Sequence, residues 1–503
     1  MNIPSLLIAF SLFFVAATSV NANPGRDAVV TSRYYHSLIS APSPRLAELE
    51  LFTTLLPKGA DLHHHYDGSL YAENYLDWVE QQNGCIYREN NAVLKAEKFR
   101  IEMKPQDLPE AARRICLDAV TARSDSVFHQ QLLQRWSVKD YGNHVHRQLP
   151  PDQHFFNTFQ YFIPLLDFSS PAGLQILKQR ALAENVQYLE SVFAMAPVVE
   201  NPLLAAKINA LDPAASDAQT DEELSAYAAF IANDPQAQAA IRRYVQMANQ
   251  AAAGIDDDRF KLRFHAFVFR GDQPARVFAG MAAAFAAAQA SSRIVGVNIV
   301  GAENSPMAMR DYVLHMKMFR FLKRQYPKVK LSLHAGELAL GMVPPEGLRH
   351  HVRDALLIAG ADRIGHGADI AHETAAPDTL RLMRERGIPV EINLSSNAFI
   401  LGLQGDAHPL PLYRQQRVPF VITSDDTGVS RNSLSREYLL FASRYRPSYA
   451  QLKNAVYATI RHSFLTDEEK QAEMAKLARR FAAFERQIAD MVQAGGKMGR
   501  IAR

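Results

Sequence analysis

Eight short runs of apolar, largely β-branched residues recur along the chain, and each ends in a polar or ionisable cluster. They are GADLHHH from Gly59, NVQYLESVF from Asn185, KLRFHAFVFR from Lys261, IVGVNIVGAE from Ile294, VKLSLHAGE from Val329, RIGHGAD from Arg363, PVEINLSSN from Pro389 and PFVITSDD from Pro419. Near-continuous apolar runs of this length suit strands buried on both faces of a parallel sheet. From Lys261 onward they alternate with helix-like segments, such as MRDYVLHMKMFRFLKRQ and LRLMRERG. Strands alternating with helices predict βαβ units. Together the runs predict an α/β fold, a (β/α)8 TIM barrel, whose active site lies at the C-terminal strand ends. The ionisable clusters fall at those ends.

Two long insertions interrupt the alternation, after the first and second strands. The first, about 71–183, reads as largely helical; the second, about 202–260, joins a polar loop, LDPAASDAQTDEE, to Ala-rich helices. The run MAAAFAAAQA from Met281 is short and broken by Gln289, so it predicts a packed helix and not a membrane span. From Asp467 to Arg503 the chain reads as a charged amphipathic helix with a basic tail, its charged side solvated.

The N-terminus has a different pattern. An apolar run from Ile3 to Ala17 precedes Val20-Asn21-Ala22, which suits signal-peptidase cleavage after Ala22, although no Lys or Arg precedes the run. This predicts export to the periplasm or medium, with residues 23–503 forming one barrel domain that has no stable membrane span after cleavage. An oxidising compartment would permit a disulfide between Cys85 and Cys116; two separate buried thiols are the other reading. Charge is nearly balanced, 55 Lys+Arg against 52 Asp+Glu, which argues against a nucleic-acid partner.

The candidate chemistry begins at His63 and His65. Two residues apart on a strand, they point to the same side, into the barrel, while His64 points to the strand–helix layer. His334 ends another strand and Asp425 the last one. Three His and one carboxylate form a ligand set suited to zinc, with a position left for water. Glu337, three residues after His334, could act as a general acid if burial keeps its pKa high. His366, between two glycines, could act as a base toward water or hold the resulting hydroxide; a structural hydrogen bond is its ordinary role. Asp426 could share a proton with a heteroaromatic nitrogen, or simply cap a helix.

At this point the residues resemble the adenosine deaminase family, within the wider amidohydrolase superfamily. The matches are PKGADLHHHYDGS, VGAE, LHAGE, RIGHG, NLSSN and ITSDD, in the family's order. The insertion with WSVKDYGN and HFFNTF is similar to the secreted, growth-factor-related branch and its bacterial relatives. The resemblance implies that His63, His65, His334 and Asp425 bind one zinc ion, that Glu337 protonates purine N1, and that His366 assists the attacking water. It implies further that the Gly301 N–H meets N3, that Asp426 contacts N7, and that Asp67 meets the ribose 5′-hydroxyl. The implied reaction is hydrolytic deamination of adenosine or 2′-deoxyadenosine to inosine and ammonia, and a homodimer is implied by analogy.

The chain departs from the family at Asp61, where Glu is frequent, and at Asn298, where Asp is usual; the second leaves the base pocket without one charge. The fourth strand, IVGVNIVGAE, holds no Lys that could be carboxylated to bridge two metals, which favours one. Three other readings stay open: a deaminase of another aminopurine or modified nucleoside, an amidohydrolase on a cyclic amide, and a weak or inactive secreted nucleoside-binding or signalling protein.

Overall fold

The computed structural model describes residues 24–91, 96–143 and 149–501. The segment read as a cleavable leader lies outside the described residues. The eight apolar runs form an eight-stranded sheet: Gly59–His65, Val186–Met195, Lys261–Phe269, Ile294–Val300, Lys330–Ala335, Arg363–His366, Val390–Ile392 and Phe420–Ile422. They pair in parallel and in chain order, as βαβ connections require. The last strand returns to the first just beyond Ile422. There the Asp425 N–H donates to His63 O at 2.9 Å and the His65 N–H donates to Asp425 O at 3.4 Å. The Ser424 N–H donates to Asp61 Oδ1 at 3.2 Å, so the Asp61 carboxylate fastens the same seam. The barrel is thus closed by the residues that also carry the candidate chemistry.

The outer helices follow the sequence pattern. The Met281 run lies in helix Pro274–Ala290, whose Val277, Phe278, Met281 and Phe285 are buried. Helix Ala376–Arg386 ends at Gly387, whose φ of 66° is the left-handed conformation that glycine adopts freely. The final helix, Asp467–Ile501, buries Leu477, Phe481, Phe484 and Ile488. It packs beside helix Pro24–Ile39, where the Thr31 hydroxyl donates to Glu485 O at 3.1 Å. Among the described residues no helix is long and apolar enough to cross a membrane.

The second insertion is helical, with helices Pro202–Asn209, Asp217–Asn233 and Pro235–Ala251. The first carries helices and, in addition, an antiparallel sheet of Cys85–Asn91, Ala96–Glu102 and Leu117–Asp118. Hydrophobic patterning does not announce these strands, because only one face is covered. Ile86 and Phe99 are buried while charged residues alternate with them, so the segment reads as polar. A disulfide joins Cys85 in this sheet to Cys116 beside it. The rest of the insertion sits over the strand ends. The Val138 N–H donates to Val429 O at 2.9 Å, Asn304 Nδ2 donates to Asp152 Oδ2 at 2.9 Å, and the Tyr141 ring lies 4.9 Å from that of Phe399. These contacts lay it across the loops that follow the fourth, seventh and eighth strands.

Candidate metal and catalytic site

His63 and His65 end the first strand and project together into the barrel. His64 turns outward, with its Nδ1 3.0 Å from Ser191 Oγ. Asp425 Oδ1 lies 3.4 Å from Nε2 of both His63 and His65, and His65 Nε2 lies 3.2 Å from His334 Nε2. The four side chains are buried, and their ligand atoms all lie within 4.8 Å of one another. His63 Nε2 is buried without an aligned hydrogen-bond partner, an expensive position for a polar atom unless something else occupies its lone pair. Burial drives His65 down to about 4 and His334 well below its usual range, so both are neutral and have a lone pair to give. His63 behaves differently. Burial opposes its charge, yet the Asp425 carboxylate beside Nε2 and the Glu391 carboxylate at Nδ1 carry it up to about 10. A positive charge is therefore wanted at this point, and a divalent cation would supply it. The donor set fits a metal ion.

The supporting groups were not legible as site residues in the sequence. His63 Nδ1–H donates to Glu391 Oε2 at 2.7 Å, leaving Nε2 free for the cluster. Glu391 Oε1 accepts from Ser332 Oγ at 2.8 Å and from Arg363 Nε at 2.5 Å, and Arg363 reaches Glu190 at 2.7 Å. On the other side His334 Nδ1–H donates to Asn298 Oδ1 at 2.9 Å. The Ile299 N–H donates to the same oxygen at 2.8 Å, which fixes the amide's orientation. Asn298 thus orients His334 as a carboxylate would, without the charge. A third brace holds the loop after His334: Glu303 accepts the N–H groups of Gly336 at 3.0 Å and Glu337 at 2.8 Å, while Arg270 donates to His334 O at 2.7 Å. Glu391 shows in the sequence as one charge inside an apolar run, while Arg363, Glu303 and Arg270 stand at the ends of such runs, Arg363 and Glu303 within the matched RIGHG and VGAE, with nothing there to mark them as supports.

Glu337 and His366 face the same cluster. His366 Nε2 lies 3.7 Å from Glu337 Oε1 and 3.9 Å from Asp425 Oδ2. Burial, with the Asp425 and Glu303 carboxylates nearby, pushes Glu337 well above the ordinary carboxylate range, the direction a proton donor needs. Both His366 and Asp425 hold positive φ, 67° and 59°. Non-glycine residues pay about 1–3 kcal/mol for this, and such strain gathers at functional sites.

The remaining sequence candidates frame the space beside the cluster. Polar atoms of His65, Asp67 and Asp426 lie within 4.8 Å of one another. Gly68 lets this happen, because a Cβ there would fall 1.6 Å from Asp426 Oδ1. Asp426 Oδ1 is buried without a partner, and burial with the nearby Asp425 and Asp67 carboxylates pushes this acid well up. It is poised to share a proton with a ligand. Gly301 follows the fourth strand with φ of 100° and has the Phe269 ring where a Cβ would stand, so no larger residue fits.

A family model for adenosine deaminase matches residues 234–479, which include His334, Glu337, His366, Asp425 and Asp426. Over those residues the chain carries an adenosine deaminase domain. It is 27% identical over 188 residues to an adenosine deaminase of Mycobacterium sp. (strain KMS), and 28% identical over 183 residues to the N6-methyl-AMP deaminase of Bos taurus. Each match covers 36% of this chain and 48% of the relative, so the chain spans about half the length of the curated relatives it matches. The fold is shared more widely. The apo structure of the N6-methyl-AMP deaminase from Arabidopsis thaliana superposes with a TM-score of 0.53 at 18% identity, covering 86% of this chain and 98% of that one. The family model begins after the first two strands; the structure brings His63 and His65 of the first strand to the residues it matches.

Proposed function

We propose that the protein is a zinc-dependent deaminase that converts adenosine or 2′-deoxyadenosine to inosine and ammonia. The observation that carries this reading is the convergence of three His and one Asp on a point faced by Glu337. Their nearest atoms stand 3.2–3.4 Å apart. Separations of that size would let His63, His65, His334 and Asp425 hold one zinc ion per chain with a position left for water. Bound zinc lowers the pKa of a water toward about 7 and so provides a nucleophile at neutral pH.

The chain's own residues do the rest. Glu337 gives its proton to purine N1, so negative charge does not build on the ring as C6 is attacked. His366 holds the attacking oxygen. Asp426 shares its proton with N7, and the Gly301 N–H meets N3, which fixes the base within reach of Glu337. C6–O forms, the proton of the new C6 hydroxyl passes to the amino group, C6–N breaks and ammonia leaves; the proton shed by the attacking water returns Glu337 to its acid form.

Asp67 favours a nucleoside over a nucleotide. Burial raises it only to about 6, so it is mostly ionised at neutral pH. A carboxylate where the 5′-substituent would lie accepts a hydrogen bond from a hydroxyl and repels a phosphate. The test is purified, zinc-loaded protein with adenosine, 2′-deoxyadenosine, adenine, AMP and N6-methyl-AMP, read by ultraviolet absorbance and ammonia release. Turnover of the two nucleosides with little on the monophosphates supports the reading; preference for a monophosphate overturns the nucleoside assignment, and no turnover of any overturns the deaminase. The protein is proposed to act after export, a placement that the Cys85–Cys116 disulfide supports.

A further inference from the structure

The hydrogen bonds behind His366 run in one direction only. A backbone N–H can only donate, and the Leu410 N–H donates to His408 Nδ1 at 3.1 Å. Neutral His408 therefore carries its proton on Nε2. That nitrogen lies 3.1 Å from Asn397 Oδ1, so the amide oxygen accepts and the amide nitrogen faces the other way. Asn397 Nδ2 then donates to His366 Nδ1 at 3.0 Å. A second amide repeats the instruction: Asn393 Oδ1 accepts from the Thr423 hydroxyl at 2.5 Å, and its Nδ2 stands 3.4 Å from the same His366 Nδ1. With two N–H donors aimed at it, Nδ1 is an acceptor and the ring proton sits on Nε2, on the side of Glu337 and Asp425.

We propose that His408 and Asn397 are positioning residues that lock His366 in its Nε2–H tautomer, so that His366 donates a hydrogen bond to the attacking oxygen and does not serve as its base. Of the two roles open to His366, base or holder, the relay selects the second. The relay is buried throughout: His408 is 1% exposed, His366 1% and Asn397 fully enclosed. Water therefore has little access to reset the tautomer. The outer end is reachable in another sense, because His408 lines a cavity of about 390 Å³ with Leu338, Ala368 and Leu412. A small molecule entering there could replace the missing ring of a His408 variant.

The kinetic consequence rests on the deaminase reading; the tautomer does not, and the experiment separates them. Zinc-loaded protein with ¹⁵N-labelled histidine is measured first by long-range ¹H–¹⁵N correlation, without substrate. His366 is expected as the Nε2–H form, and finding the Nδ1–H form overturns the proposal whatever the enzyme does. Asn397→Asp keeps an acceptor for His408 but offers His366 a carboxylate, which demands Nδ1–H. It is expected to switch the tautomer, leave bound zinc unchanged, and lower kcat at least about 10²-fold with KM moved far less; a wrong tautomer at a catalytic histidine costs up to about 10⁴-fold elsewhere. A switched tautomer with kcat kept overturns the proposed role. His408→Ala is the second variant, should Asn397→Asp fail to fold. Added imidazole is expected to recover its kcat, and a loss that imidazole does not touch, with folding intact, counts against the relay. If the native protein deaminates nothing, the deaminase reading fails while the spectrum still decides the tautomer.

Discussion

Glu391 Oε2 accepts the Nδ1 proton of His63 at 2.7 Å, and this one bond decides which nitrogen of His63 faces the cluster. Arg363 and Ser332 hold Glu391 ionised and in place from behind, and burial alone would have raised it. Carboxylates placed behind a metal-bound imidazole typically support about 10–100-fold in metal affinity. Glu391→Gln keeps the shape but can present its NH₂ group to His63. Zinc affinity, measured by competition with a chelator, is expected to fall by about that factor while the far-ultraviolet circular dichroism stays native. An unchanged affinity would mean that Arg363 and not His63 is the reason for the carboxylate.

Glu337 is assigned as proton donor and not as ligand, because His63, His65, His334 and Asp425 already satisfy the metal. Glu337→Gln removes the transferable proton at constant shape. General acid catalysis is typically worth about 10²–10⁴-fold, so kcat is expected to drop at least about 10²-fold with zinc content unchanged. Asp425→Asn is expected to lose zinc and activity together. Elemental analysis beside steady-state kinetics distinguishes the two; loss of zinc from the Glu337 variant would make it a ligand.

The sequence pattern reached the barrel because buried parallel strands leave long apolar runs, and it reached His63, His65, His334, Glu337, His366, Asp425 and Asp426 because each sits where such a run meets polar residues. Glu391 and Arg363 were missed for the opposite reason. A single charge in a strand looks like a solvated position until the barrel closes and sets Arg363 between the Glu391 and Glu190 carboxylates. His408 was out of reach altogether, since it lies in the loop after the seventh strand and meets Asn397 only through tertiary folding. The sheet in the first insertion escaped because its strands hide one face only.

Cys85 and Cys116 close a loop of 31 residues around the small sheet. In the chain-entropy view a loop of that length is worth about 3–4 kcal/mol. Cys85→Ser with Cys116→Ser is expected to loosen the insertion first, raising proteolysis between residues 85 and 118, while zinc content holds because no ligand lies there. Since the insertion rests on the loops around the site, KM is expected to rise more than kcat falls. Mass mapping of protein from the native host should show the two cysteines joined and the chain beginning at Asn23; a retained Met1 would count against export, and two free thiols against the disulfide alone.

His408 also sets a pH dependence. Burial, helped by the Arg444 charge, drives it down to about 4, well below the usual 6.5. The Tyr445 ring stands 6.3 Å away, Asp406 lies two residues before it, and its Nδ1 accepts the Leu410 N–H, a bond that protonation would break. Between pH 6.5 and 4 the unfolded chain binds a proton that the folded protein refuses. Stability from this group is therefore present above pH 6.5 and is lost as pH falls toward 4. By pH 5 the loss is on the order of 1–2 kcal/mol. Other buried histidines, such as His462, act in the same direction, so the informative quantity is a difference. His408→Asn can still donate to Asn397 but has nothing to titrate. At pH 7 it is expected to be less stable than the native protein in urea, and at pH 5 the gap is expected to narrow by that amount. A gap independent of pH would mean that His408 is protonated in the folded protein, which would also reverse its donation pattern toward Leu410.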